Sequence, residues 1–187
     1  AVAILDLAGA PVGEIPVPKD PEIDAFKLRP RELVTVKAKS GDTLYGALLP
    51  PRDYKPGEKH PVVVMVYGGP TAQTVWDRWT PNLLWQHLSD RGFVVFQLDN
   101  RGAGGRGPAF EQLLYKRSGT LELEDQVTGV SYLSTLPYVD SSRVGIYGYS
   151  YGGFMAALAM FKAPEVFKAG VSGAPVSSWE FYDASCT

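Results

Sequence analysis

Two near-continuous apolar runs, Pro61-Val62-Val63-Val64-Met65-Val66-Tyr67 and Phe93-Val94-Val95-Phe96-Gln97-Leu98, stand out along the chain. A strand with one wet face alternates apolar and polar residues, and a strand covered on both faces has no such need, so these runs predict central strands. Between them, residues 81–90 carry Leu83, Leu84, Trp85 and Leu88 and end before Gly92, the pattern of a short crossover helix with a glycine stop. Upstream, Leu33–Ala38 and Leu44–Leu49 flank Ser40-Gly41-Asp42, which predicts an antiparallel hairpin. Downstream, residues 123–136 repeat apolar positions at Val127, Val130 and Leu133, behind acidic Glu122, Glu124 and Asp125 that suit the positive end of a helix dipole. Residues 143–147 then predict a strand, 152–163 a helix rich in Ala and Met, and 167–172 one more strand. Strands alternating with helices imply an α/β domain whose mostly parallel sheet has helices on both faces, preceded by the hairpin.

Residues 1–32 break this rhythm. Pro11, Pro16, Pro18, Pro21 and Pro30 fix φ and remove donors, which predicts a linker or edge segment rather than helices, with the domain running over 33–187. At 187 residues and 45% hydrophobic content the chain is long and apolar enough for a real core. A net charge of −2, with Lys and Arg scattered, gives no support to nucleic-acid binding. No apolar run reaches the roughly 18 residues a membrane helix requires. The single Cys186 excludes an intrachain disulfide and leaves the compartment open between periplasm and cytoplasm, with a lean to the periplasm.

The chemistry begins at Gly148-Tyr149-Ser150-Tyr151-Gly152, a G-x-S-x-G pattern. Three fixed positions arise by chance in roughly one such chain in fifteen, so the pattern alone is weak. Its placement between a predicted strand and a predicted helix is what a nucleophile elbow of the α/β-hydrolase fold requires. In such an elbow a strained backbone thrusts the serine hydroxyl outward, small residues two positions to either side avoid a clash, and the helix N-terminus faces the reacting centre. Ser150 is thus the candidate nucleophile, with the Tyr151 backbone N–H as oxyanion donor. The competing interpretation is a glycine-rich turn in which Ser150 is an ordinary helix cap.

Tyr67-Gly68-Gly69-Pro70 follows the first buried strand, where the fold supplies its second oxyanion donor, and the Tyr67 phenol could donate there; a plain turn with a covering tyrosine is the alternative. The triad order in this fold is Ser, then Asp or Glu, then His. No His follows Ser150, and His60 and His87 both precede it, so the C-terminal part of the fold, with its acid and base, is expected outside these residues and the isolated chain is expected to be inactive. Arg101-Gly102-Ala103-Gly104-Gly105-Arg106-Gly107 lacks the Lys-Ser/Thr pair of a phosphate loop and is interrupted by Pro108, which favours a tight crossing near the active site. Acyl transfer from a serine implies no metal and no organic cofactor.

From about Leu33 onward the chain resembles the prolyl oligopeptidase family of serine peptidases, in particular its dipeptidyl peptidase IV branch. The resemblance is carried by Val66-Tyr67-Gly68-Gly69-Pro70, Leu98-Asp99-Asn100-Arg101-Gly102, Glu124-Asp125-Gln126, Gly148 to Gly153, and Gly173-Ala174-Pro175-Val176-Ser177-Ser178-Trp179-Glu180-Phe181-Tyr182-Asp183. It implies Ser150 as nucleophile, the Tyr67 hydroxyl and Tyr151 N–H as the oxyanion hole, and Tyr151, Val176, Trp179 and Tyr182 as the pocket for a proline, or an alanine, before the scissile bond. It implies a peptide substrate with penultimate Pro or Ala, residues 1–32 as the exit from an upstream β-propeller, and a pocket wall altered where Cys186 replaces the family's tyrosine. For the parent protein a homodimer is a further expectation. Without the resemblance, Val176, Trp179 and Tyr182 read as ordinary core or covering residues.

Overall fold

In a computed structural model that describes residues 2–16, 21–79 and 81–181, the chain forms two sheets. β1 (Val2–Leu5) and β2 (Pro11–Ile15) pair antiparallel as a small exposed hairpin, and a single turn, α1 (Pro21–Ala25), follows. The proline-rich segment therefore holds short regular elements that its composition did not reveal. Leu5 pairs with Pro11 at the hairpin's irregular end, a position where a missing donor is tolerated.

The main sheet contains β3 (Glu32–Lys37), β4 (Thr43–Leu49), β5 (His60–Val66), β6 (Val94–Asp99), β7 (Val139–Tyr149) and β8 (Ala169–Gly173), in the order β3-β4-β6-β5-β7-β8. The predicted hairpin β3–β4 pairs antiparallel and joins the sheet through an antiparallel β4–β6 ladder. β6, β5, β7 and β8 run parallel. β7 begins four residues before the polar stretch Asp140-Ser141-Ser142-Arg143 suggested, because the His60 N–H bonds the Tyr138 carbonyl at 2.8 Å and the ladder passes an irregularity between His60 and Val62.

Successive residues of the buried strands serve opposite faces. A short α3 (Pro108–Glu111) follows β6. Val62, Val64, Val66, Val94, Phe96 and Leu98 pack with α4 (Leu121–Leu133) and α5 (Tyr151–Lys162), through Val130, Leu133, Met155, Ala156 and Ala159. Met65 and Val95 pack on the other face with Trp85 of α2 (Leu83–Asp90), and Val63 and Leu88 lie against them. This two-sided cover explains the unbroken apolar runs, and each fully buried side chain such as Phe96 stabilises the sheet by about 1.5–3 kcal/mol. Asn82 caps α2 by accepting the Trp85 N–H at 3.2 Å. No helix of the described residues is long and apolar enough to cross a membrane.

β5 is the strand at which the chain order reverses, with β6 on one side and β7 on the other. In open parallel sheets ligands bind beyond the carboxyl ends of the strands at such a switch point. Tyr67 leaves β5 there and Ser150 leaves β7 beside it, with their strands paired from Val62↔Val144 to Val66↔Gly148.

Candidate active site

Ser150 is the single residue between the end of β7 and the start of α5, with φ +59° and ψ −121°. That conformation is sparsely populated for a residue with a Cβ and costs on the order of 1–3 kcal/mol. The backbone around it is secured: the Ser150 N–H donates to Gly173 O at 2.9 Å, and Phe154 N–H donates to Ser150 O at 3.1 Å. The Ser150 side chain makes no capping hydrogen bond, which removes the ordinary-cap interpretation and leaves the hydroxyl unspent at the head of α5.

The flanking glycines are required by close backbone approach. A Cβ on Gly148 would lie 2.0 Å from the Gly152 carbonyl oxygen, and one on Gly152 would lie 2.2 Å from that of Val66. Both neighbours are main chain and cannot swing aside. Gly148→Ala is expected to destabilise the protein by about 1–3 kcal/mol and to displace Ser150; thermal unfolding together with fluorophosphonate labelling of Ser150 measures both, and an unshifted melt with normal labelling would contradict the close-approach account.

Beside the serine, Tyr67, Tyr151, Phe154 and Trp179 form an aromatic group. Ring centroids are separated by 6.3 Å for Tyr67–Tyr151, 5.4 Å for Tyr151–Phe154, 6.1 Å for Tyr151–Trp179 and 5.8 Å for Phe154–Trp179. Tyr67 is 38% exposed, whereas Tyr151 is only 7% exposed. The Tyr151 hydroxyl donates to Glu122 Oε1 at 2.6 Å. Burial, and then the bond to Glu122, push this phenol well above its usual pKa and keep it protonated.

The loop after β8 brings the remaining pocket candidates near. At the end of β8, Ser172 Oγ donates to Gly153 O at 2.8 Å, and a Cβ on Gly153 would lie 2.4 Å from Gly173 O and 3.1 Å from Pro175 Cα, so the start of this loop lies directly against the first turn of α5. Trp179 thereby reaches the aromatic group; Val176 sits half-buried on the same loop without a ring of its own. Tyr182 and Cys186 fall outside the described residues. Phe154 was not singled out in the sequence, although its spacing three residues after Tyr151 places both on one helix face.

Behind the site, the glycine-rich loop after β6 crosses the Tyr67 loop closely, as its composition suggested. Thr71 N–H donates to Gly102 O at 2.8 Å, and a Cβ on Gly104 would lie 2.3 Å from Thr71 O. Asp99 accepts from Thr74 N–H at 2.9 Å and from Val75 N–H at 2.9 Å, which tethers the same segment. Asn100 donates to Gly68 O at 3.3 Å. Arg101 is bound to Asp125 through its backbone N–H at 2.8 Å and its Nη2 at 2.7 Å, and Nη2 also donates to Glu124 at 2.8 Å. Asp125 is the main cause that holds the guanidinium above its usual pKa and charged.

Neither upstream histidine is brought to Ser150. His60 opens β5 at the end opposite Tyr67, roughly 20 Å away at strand rise, with Nδ1 within 3.1 Å of Gly92 O. His87 lies in α2, on the sheet face opposite α5.

The sequence profile of the prolyl oligopeptidase family matches residues 79–187. The chain belongs to the prolyl oligopeptidase family. Dipeptidyl peptidase 8 of Homo sapiens is 40% identical over 161 residues, covering 84% of this chain and 18% of that protein. Prolyl endopeptidase FAP of Mus musculus is 37% identical over 138 residues, or 74% of this chain and 18% of the relative. Among solved structures, a Bacteroides ovatus protein assigned as a dipeptidyl aminopeptidase IV superposes with a TM-score of 0.90 at 37% identity, covering 97% of this chain and 26% of that one. Porphyromonas gingivalis dipeptidyl peptidase 4 gives 0.82 at 34% identity, covering 89% and 24%. This prolyl oligopeptidase family chain thus spans 18% of the length of the curated relatives named above.

Proposed function

We propose that the protein containing this chain is a serine peptidase that releases X-Pro, or X-Ala, dipeptides from peptide N-termini by acyl transfer through Ser150. The observation that carries this proposal is the strained, uncapped Ser150 at the head of α5 beside the group Tyr67, Tyr151, Phe154 and Trp179. In the proposed reaction Ser150 Oγ attacks the carbonyl carbon of the penultimate residue while a histidine accepts its proton. The carbonyl oxygen becomes an oxyanion that accepts hydrogen bonds from the Tyr151 N–H and the Tyr67 hydroxyl, in the field of the α5 N-terminus. Collapse expels the leaving amine, which takes the proton back, and water then hydrolyses the acyl-enzyme by the same route. The histidine and its acidic partner are assigned to sequence beyond these residues, following the chain order of the fold.

Tyr151, Val176, Trp179 and Tyr182 are proposed to receive the proline ring. Flat aromatic faces suit a rigid apolar ring, and the ring itself loses little conformational entropy on binding. Recognition of the free amine is assigned to an upstream domain.

The test compares Gly-Pro-p-nitroanilide with its N-blocked counterpart on the full-length protein. Cleavage confined to the free-amine substrate is expected. Cleavage of the blocked substrate at an equal rate would replace the dipeptidyl assignment with an endopeptidase or acylaminoacyl peptidase activity, and the name of the FAP relative makes endopeptidase the specific competitor. Failure of both substrates and of fluorophosphonate labelling would favour a non-catalytic binding module.

A further inference from the structure

The buried side of α4 presents three inward polar side chains, Glu122, Asp125 and Gln126, exposed by 0%, 0% and 1%. Asp125 is neutralised by Arg101. Glu122 forms no ion pair among the described residues. A carboxyl group at full burial without a cation is costly, and such groups are concentrated where a site requires them.

Glu122 spends its bonds on one end of the active site. Oε1 accepts from the Tyr151 hydroxyl at 2.6 Å and from the Gly119 N–H at 2.9 Å, while Oε2 is buried with no hydrogen-bond partner. The Gly119 bond ties the carboxyl to the turn that opens its own helix, so its position is set by backbone. Tyr151 is consequently held at both ends, by α5 through its main chain and by α4 through its phenol. Its phenol also has a side-chain hydrogen bond with Ser118, and its ring touches Tyr67, Phe154 and Trp179 through contacts that tolerate sliding far better than a hydrogen bond does.

One turn along the same face, Gln126 reaches Leu98 O at 3.2 Å and Asn100 Oδ1 at 3.4 Å, and Asn100 in turn donates to Gly68 O in the loop that carries Tyr67. Glu122 and Gln126 stand four residues apart, which aligns them on one helix face. α4 therefore contacts Tyr151 directly and the Tyr67 loop only through Asn100, so its hold on Tyr151 is the more immediate.

We propose that Glu122 is a positioning residue for acyl transfer at Ser150, fixing the Tyr151 ring that walls the proline pocket and, through it, the Tyr151 N–H that faces the oxyanion. The proposal rests on the assignment of Ser150 as nucleophile. A proline ring is rigid and fills the pocket, so it depends on the wall's position more than the small alanine side chain does.

The test uses the full-length protein and the variants Glu122→Gln, Tyr151→Phe and the double variant. All three preserve side-chain volume, and a melt by circular dichroism checks folding. Tyr151→Phe is expected to lower kcat/KM for Gly-Pro-p-nitroanilide about tenfold, Glu122→Gln about threefold because the amide still offers an acceptor, and the double variant no more than about tenfold, since both changes act through the same Tyr151–Glu122 bond. The loss for Gly-Ala-p-nitroanilide is expected to be smaller in each. Single variants within about twofold of wild type, losses that multiply in the double variant, or equal losses on both substrates would overturn the proposal. The rate of fluorophosphonate labelling of Ser150 separates this proposal from the dipeptidyl assignment. If the wild type labels but leaves Gly-Pro-p-nitroanilide intact, the dipeptidyl assignment fails, and slower or unchanged labelling in the variants sustains or overturns the role of Glu122; no labelling of wild type overturns both.

Discussion

Ser150→Ala is expected to lower kcat/KM of the full-length protein for Gly-Pro-p-nitroanilide by a factor on the order of 10⁴ or more, with stability within about 0.5 kcal/mol of wild type. The kinetic effect follows from loss of the only atom assigned to attack the carbonyl. The small effect on stability follows from the structure: the Ser150 hydroxyl caps nothing, and the bonds that hold the elbow are main-chain bonds to Gly173 O and from Phe154 N–H. Alanine retains the same Cβ and hence the same strain at φ +59°. Steady-state kinetics and a thermal melt on the same preparation check the two parts. Substantial residual turnover that is insensitive to fluorophosphonate would assign the chemistry elsewhere, and a large loss of stability would show that the hydroxyl has a structural duty after all.

Asp125→Ala is expected to be the most damaging substitution away from the serine, costing about 3–5 kcal/mol. Its carboxylate has no exposed side-chain surface and accepts from Arg101 N–H, Nε and Nη2. Removal would leave a guanidinium whose side chain is 8% exposed with Glu124 as its remaining carboxylate partner among the described residues. A charge stranded in this way is penalised by desolvation more than the pair itself had contributed. Replacing both partners, Arg101→Met with Asp125→Leu, removes the stranded charge and is expected to cost much less than the single change. Urea unfolding of the three variants against wild type decides it; equal losses for the single and double variants would mean that packing, not charge, governs the site. Activity is expected to fall with Asp125→Ala as well, because Arg101 opens the glycine-rich loop whose Gly102 and Gly104 press on Thr71 behind Tyr67.

The two substitutions differ in how legible their origins are. Ser150 is visible in sequence because the elbow has a local geometric rule: positions two residues to either side must be small, and a strand and a helix must flank them. The structure shows the rule acting through backbone atoms, Gly152 O for Gly148 and Val66 O for Gly152. Asp125 and Glu122 carry no such mark. Acidic residues in the first turn of α4 are equally well explained by the helix dipole, and only the docking of α4 on the sheet turns both side chains inward.

The sequence by itself determined the kind of sheet and the candidate nucleophile. Unbroken apolar runs require cover on two faces, and the hairpin at Ser40-Gly41-Asp42, the crossover helix and the elbow are each encoded within about fifteen residues. Local signals fell short where pairing supplies what sequence lacks, as in the exposed β1–β2 hairpin and the polar start of β7. The family resemblance named residues around Ser150, but only tertiary structure decided how their side chains come together. Tyr67, Tyr151 and Trp179 come from the ends of three different elements, and their convergence depends on strand order at the β5 switch point. The phenol of Tyr151 ends on Glu122, 29 residues earlier in the chain, a partnership no spacing rule predicts because it is set by how two helices pack against one sheet.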